Sequence, residues 1–179
     1  TTPVALARDM HDRFAARGIH FLDAPVARTR EAAEQATLSV MVGGVTPEVQ
    51  RMRPFLAHFA AEVTHCGASG AGQAMKLLNN MLGQVQTVAI AEALVFGVKA
   101  GLDPHKIYEV IRASTGNSVQ FENRVPRMLR RDFAPGGTID ISYKDQELET
   151  GFAKRLGVPL LLANLSQQVY QMGRAQWLN

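Results

Sequence analysis

Glu62-Val63-Thr64-His65-Cys66, then Gly67-Ala68-Ser69-Gly70-Ala71-Gly72, then an unbroken stretch from Gly72 to Ala100 without a proline decide how this chain folds. The spacing predicts a strand, a glycine-rich turn and one long helix. The helix is apolar nearly all round, interrupted by Lys76, Asn79, Asn80, Gln84, Gln86 and Glu92. Such a rod is expected to be covered on every side, by other helices or by a partner subunit.

Upstream of this stretch, helices and strands alternate. Thr2-Pro3 fits an N-cap and first helical position for a helix running to Arg17 and closed by Gly18. Residues 19–26 read as a strand entering a proline-limited loop, and Thr37 to Val42 as a second strand closed by Gly43-Gly44. A helix from Thr46 to about Ala60 leads to the third strand at 62–66. Downstream only helical texture remains: Pro104–Ser114, a less regular 117–132, Ser142–Leu156 with Ser142 as N-cap, and Leu160 to about Arg174. The expectation is an α/β segment over residues 1–66 followed by an all-α segment over 67–179.

A chain of 179 residues with 46% apolar and 20% charged residues can bury a sizeable core, which excludes disorder as its main state. One cysteine, Cys66, excludes an internal disulfide, and no zinc-type spacing occurs, so a reducing, cytoplasmic setting is expected. The net charge of +3 suits a small anionic ligand and carries no nucleic-acid signature. Arg124, Arg127, Arg130 and Arg131 cluster without interleaved aromatics and read as a solvated helical face. No uncharged run of about eighteen residues is present, so no membrane span is expected. The opening Thr-Thr-Pro lacks a starting Met and a signal-peptide layout, and reads as internal to a longer chain.

Four places offer chemistry. The turn at 67–72 lies between a strand and a helix, where backbone N–H groups can hold an anion. Gln73 and Ala74 replace the Lys and Ser/Thr of a P-loop, so Walker-type phosphate binding is excluded, and a turn permitting close helix packing is the alternative. Lys76 and Asn80 stand four apart, continued by Gly83 and Thr87, as a polar stripe on an apolar helix. A lysine there is either a proton donor and acceptor positioned beside Asn80 or a snorkelling side chain. Arg28 and Thr29, with Arg30, follow a strand end and can grip an anion or simply be solvated. Lys144 is a cation expected in a first helical turn beside Asp145, an arrangement that suits a ligand anion or is screened by that aspartate. His58 and His65 fall on different elements and suggest neither metal nor triad.

Taken in order, Phe21-Leu22-Asp23-Ala24-Pro25-Val26, Thr37 to Gly44, Gly70-x-Gly72-x-x-x-Lys76-x-x-x-Asn80, Glu92-Ala93-Leu94, Gly101-Leu102-Asp103 and Lys144-Asp145 closely resemble the β-hydroxyacid dehydrogenase family, relatives of hydroxyisobutyrate dehydrogenase and tartronate semialdehyde reductase. The resemblance implies the C-terminal part of an NAD- or NADP-binding Rossmann domain followed by an all-helical domain that dimerises through a long central helix. The G-x-G-x-x-G turn is expected upstream of Thr1, so these residues alone should not transfer hydride. It further implies Lys76 as catalytic acid and base, Asn80 as substrate-orienting, Gly72 as the small residue at the site, and Lys144 as a cofactor contact.

Many members of that family carry Ser-Gly-Gly after the position of Val26, where this chain has Ala27-Arg28-Thr29. That triplet resembles the one in sulfolactaldehyde reductase and implies that Arg28 and Thr29 receive a carboxylate or sulfonate. The resulting expectation is a small anionic hydroxyacid or hydroxysulfonate substrate and a homodimer or homotetramer, with neither nucleic acid nor membrane as partner. A non-catalytic oligomerisation module and an imine reductase-like enzyme are the alternatives.

Overall fold

A computed structural model describes residues 1–134 and 136–178. Its element order is α1 (Val4–Ala15), β1 (Val26–Ala27), α2 (Arg30–Glu34), β2 (Leu38–Gly43), α3 (Thr46–Leu56), β3 (Ala60–Gly67), α4 (Ala71–Lys99), α5 (Pro104–Arg112), α6 (Val119–Leu129), α7 (Ile139–Arg155) and α8 (Leu161–Ala175). The chain divides into two compact units, Thr1–Asn80 with Glu147–Val158, and Met81–Gln146 with the chain from Pro159 onward. The described part of the chain thus combines a small α/β layer with many helices.

In the first unit the sheet order is β1-β2-β3, with β1 antiparallel and β3 parallel to β2. Val40 and Val42 of β2 are fully buried and meet Val49 and Leu56 of α3 and Val63 of β3, so the sheet and α3 share one apolar core. The parallel β2–β3 pair needs a crossover, which α3 supplies. Pro47 lies in the first turn of α3, where its missing N–H costs nothing. The expected strand over 19–26 shrinks to an isolated bridge, Asp23 with Gly43, and the two residues of β1. Pro25 lacks the N–H that a continuous ladder would need.

In the second unit Ile90 and Leu94 of α4, Ile107 of α5, and Phe121 and Val125 of α6 form the core, with the Tyr108 ring stacked on Phe121 at 5.7 Å. Asp103 accepts the Lys106 N–H to start α5, and Ser118 accepts the Phe121 N–H to start α6. Ser142 is not the cap that the sequence suggested. It lies inside α7, where its N–H reaches the Thr138 carbonyl, and Thr138 Oγ1 accepts the Ile141 N–H instead. Lys144 is therefore in the second turn of α7, past the strongest part of the helix dipole.

Helix α4 is long and apolar enough to cross a membrane by length and composition, which the expectation from uncharged runs did not anticipate. Gln73, Lys76, the Asn79-Asn80 pair, and Gln84 with Gln86 nevertheless put a polar group on each of its first four turns. Nor does this chain cover the helix on every side: Leu82, Val95 and Phe96 are exposed, Phe96 to 76%.

Candidate functional site

The site is assembled at the end of β2 in the first unit. Asp23 and Gly43 exchange backbone hydrogen bonds, Asp23 N–H to the Gly43 carbonyl at 3.1 Å and Gly43 N–H to the Asp23 carbonyl at 2.8 Å. This fixes the Asp23 side chain, only 4% exposed, against the start of α4. Its Oδ1 accepts the Gly70 N–H at 2.7 Å and its Oδ2 accepts the Gln73 N–H at 2.8 Å. The N-terminus of α4, read from sequence as a possible anion site, is thus filled by the protein's own carboxylate.

Two glycines make this approach possible. A Cβ on Gly43 would sit 2.4 Å from Asp23 Oδ1 and 2.8 Å from the Gly72 nitrogen. A Cβ on Gly72 would sit 2.4 Å from the Met41 carbonyl oxygen and 2.9 Å from Asp23 Oδ2. No side chain fits at either place without displacing backbone, so the glycine-rich turn serves close packing.

Lys76 follows Gln73 by three residues on α4 and is half-buried. Together with Thr2, Phe21, Asp23, Pro25 and Gln73 it lines a cavity of about 500 Å³, to which α1 contributes Leu6 and Met10. Thr2 N–H donates to Gln73 Oε1 at 3.2 Å and closes one rim. A cavity of this size, lined by both apolar and polar groups, has room for a small molecule. Asn80 is one turn beyond Lys76, half-buried, and accepts from Asn79 Nδ2 at 3.3 Å.

Arg28 and Thr29 are exposed and lie beyond the stretch 23–26 that lines this cavity. Arg28 Nη1 donates to the Thr37 carbonyl at 3.0 Å, and Thr29 Oγ1 caps α2 by accepting the Ala32 N–H at 3.4 Å. Arg28 has φ of 84°, the left-handed conformation that favours glycine. Lys144 belongs to the second unit, is exposed, and its Nζ is 2.9 Å from Asp145 Oδ1.

Cys66, at the end of β3, has its thiol pKa raised by burial, with the Asp23 charge adding to the effect and a backbone contact at Val42 opposing it. In the arginine cluster Arg124, Arg130 and Arg131 are exposed, as a solvated face requires, and Arg127 is half-buried. Arg124 and Arg127 line a second cavity, of about 660 Å³, and Arg127 is hydrogen-bonded to Asp132 and to the Ala134 carbonyl. The same guanidinium, followed by the Ala134 N–H, holds the Asp132 carboxyl below its ordinary pKa. Among the described residues there is no group of three or more His, Cys, Asp or Glu side chains placed to hold a metal ion.

The role of Asp23 is absent from a reading of spacing alone. The available signal was an acidic residue set directly after the apolar pair Phe21-Leu22 and before Ala24-Pro25.

Two family models match different parts of the chain. Residues 70–179 match the family model described as NAD-binding of NADP-dependent 3-hydroxyisobutyrate dehydrogenase, and residues 1–67 match that of the NAD binding domain of 6-phosphogluconate dehydrogenase. The chain is 36% identical over 165 residues to 2-(hydroxymethyl)glutarate dehydrogenase of Eubacterium barkeri, covering 92% of this chain and 55% of that protein. It is 36% identical over 173 residues to the mitochondrial 3-hydroxyisobutyrate dehydrogenase of Drosophila melanogaster, covering 93% and 53%. The solved structure of Mycobacterium tuberculosis 3-hydroxyisobutyrate dehydrogenase with L-serine superposes with a TM-score of 0.90 at 36% identity, over 97% of this chain and 62% of that one. The chain therefore spans little more than half the length of these curated relatives, and it belongs to the β-hydroxyacid dehydrogenase family.

Proposed function

We propose that this chain is part of an NAD(P)-dependent dehydrogenase that interconverts a small anionic β-hydroxyacid, or a hydroxysulfonate, with its aldehyde or keto form. The observation that carries the reading is Lys76 in the wall of the 500 Å³ cavity, on a helix whose start is held by Asp23. Its ammonium protonates the carbonyl oxygen in the reductive direction, and its amine accepts the hydroxyl proton in the other. Asn80, one turn on, orients the substrate oxygen.

The bound nicotinamide supplies or accepts the hydride. The residues here fit the reactive end of such a cofactor, because the cavity sets the polar groups of Thr2, Gln73 and Lys76 beside the apolar side chains of Leu6, Met10 and Phe21, and they do not supply its phosphate turn, because no G-x-G-x-x-G occurs in the sequence. Lys144, exposed on α7 and ion-paired with Asp145, is proposed as a cofactor contact.

The anionic end of the substrate needs a cation, since a carboxylate, that of Asp23, already takes the Gly70 and Gln73 N–H groups at the start of α4. Arg28 and Thr29 are proposed for that role, two and three residues beyond Val26 of the cavity wall. L-serine, present in the structure of the tuberculosis relative, is itself a 3-hydroxyacid, in keeping with this substrate class. Exposed Leu82, Val95 and Phe96 on α4 and Leu161, Leu162 and Leu165 on α8 support self-association as a homodimer or homotetramer.

The test uses the complete natural chain with a panel of carboxylate and sulfonate hydroxyacids and both nicotinamide cofactors. Lys76→Ala should depress kcat by about 10²-fold or more while leaving KM nearly unchanged, as expected for a group acting in the transition state. Equal turnover by the variant would end this reading.

A further inference from the structure

We infer that Asp23 is a positioning residue for Lys76: its carboxylate sets the start of α4 so that the lysine amine meets the substrate oxygen. The inference rests on the function proposed above and adds a residue that the motif comparison leaves without a task.

The geometry is specific to a carboxylate. Two oxygens are needed because two N–H groups, those of Gly70 and Gln73, point at the same buried side chain from either side of the helix start. These are among the N–H groups that a helix leaves without internal partners, so the contact determines where the first turn of α4 can lie. Asp23 is in turn tied to the last residue of β2 by its own backbone bonds to Gly43. Gly72 packs its Cα against the Met41 carbonyl and the Asp23 backbone, which leaves the helix no freedom to slide along the strand end. Lys76 comes four residues after Gly72, so a shift or rotation of the first turn is transmitted to it through a rigid helix. A misplacement near 1 Å at a reacting group can cost about 10²-fold in rate.

Asparagine is the informative replacement. Its carbonyl oxygen can accept from one of the two N–H groups, and its amide then turns a donor toward the other. The expected result for Asp23→Asn in the complete chain is a kcat lowered about 10- to 100-fold, with KM for the hydroxyacid changed less than about twofold. In a Lys76→Ala background the same substitution should change the residual kcat less than about twofold, because the group it positions is gone. Gly72→Ala, which moves the same turn without removing a charge, should reproduce both the kcat loss and its disappearance in the Lys76→Ala background.

The two readings fail separately. If Lys76→Ala alone leaves turnover intact, the proposed function falls. If Lys76→Ala lowers turnover to a measurable residual rate but Asp23→Asn costs the same factor in both backgrounds, or nothing in either, the positioning role is overturned. Loss of the fold in both Asp23→Asn and Gly72→Ala, read by circular dichroism, would overturn it as well, since the contact would then hold the unit together instead of placing the lysine.

Discussion

Arg28 offers a test in which two substitutions differ by a single carbon. Its backbone lies at φ of 84°, a conformation in which a Cβ crowds the following carbonyl, at a position where many family members carry glycine. Its guanidinium donates to the Thr37 carbonyl at 3.0 Å from an exposed side chain. Arg28→Ala and Arg28→Gly both remove that bond, so the difference between them isolates the backbone. Alanine in the left-handed region is strained by about 1–2 kcal/mol. Glycine gives back about 0.4–1 kcal/mol through the greater freedom of its unfolded chain. The glycine variant should therefore be the more stable by about 0.5–1 kcal/mol, the reverse of the order at an ordinary loop position. For a chain of this size that is a midpoint roughly 1–4 °C higher in thermal unfolding. An alanine variant that melts at or above the glycine variant would show that residue 28 is not left-handed in solution. The same pair reads the proposed anion contact: if the guanidinium binds the substrate, KM should rise in both variants by the same factor, about 10-fold or more for a lost charge-assisted bond of about 1.5–3 kcal/mol.

Other outcomes follow from the core and the titrating groups. Phe121→Ala removes a ring that is 2% exposed and stacked on Tyr108, and should destabilise the second unit by about 3–5 kcal/mol, measured by urea unfolding followed through tryptophan or circular dichroism. Cys66, whose thiol pKa is raised chiefly by burial, should react with iodoacetamide more slowly than a free cysteine at pH 8, with the rate still climbing above the ordinary thiol range; equal rates would contradict the burial seen here. Asp132 has its pKa lowered, so its folded form binds a proton less readily than its unfolded form. Its contribution to stability is full above the unfolded value of about 3.9 and is lost as pH falls through the lower folded value. The difference in thermal midpoint between the natural chain and Asp132→Asn should hold steady from pH 8 to 5 and close below about pH 4, which a pH series of melting curves would check.

The elements most legible in the sequence are those that a single periodicity determines. β2 reads directly because Val40 and Val42 alternate into a core shared with α3, and α4 reads directly because twenty-nine residues pass without a proline. α2 does not, because Arg30–Glu34 is too short to display a period; only Thr29, accepting the Ala32 N–H, marks its start. The start of α7 is displaced for a similar reason, since Thr138 and Ser142 are both competent caps and only the hydrogen bonds of the folded chain distinguish them.

The site divides along the same line. Lys76 and Asn80 are visible because their spacing of four is a local, helical fact, whereas the carboxylate that holds their helix is 47 and 50 residues from its two partners. A glycine-rich turn before a helix has one appearance in sequence and two physical meanings: donors left open for a ligand anion, or donors already taken by the protein. Gly43 and Gly72 favour the second meaning, because the space a side chain would fill is occupied by Asp23 and by backbone. The distinction bears on substrate choice. With the helix terminus neutralised from within, a negative substrate of the proposed kind would be selected by side-chain cations, which can be exchanged without disturbing the packing of Asp23, Gly43 and Gly72. On the proposed function, the acid accepted would be set at positions such as 28 and 29, while residues 23, 43 and 72 hold the start of the helix that carries Lys76.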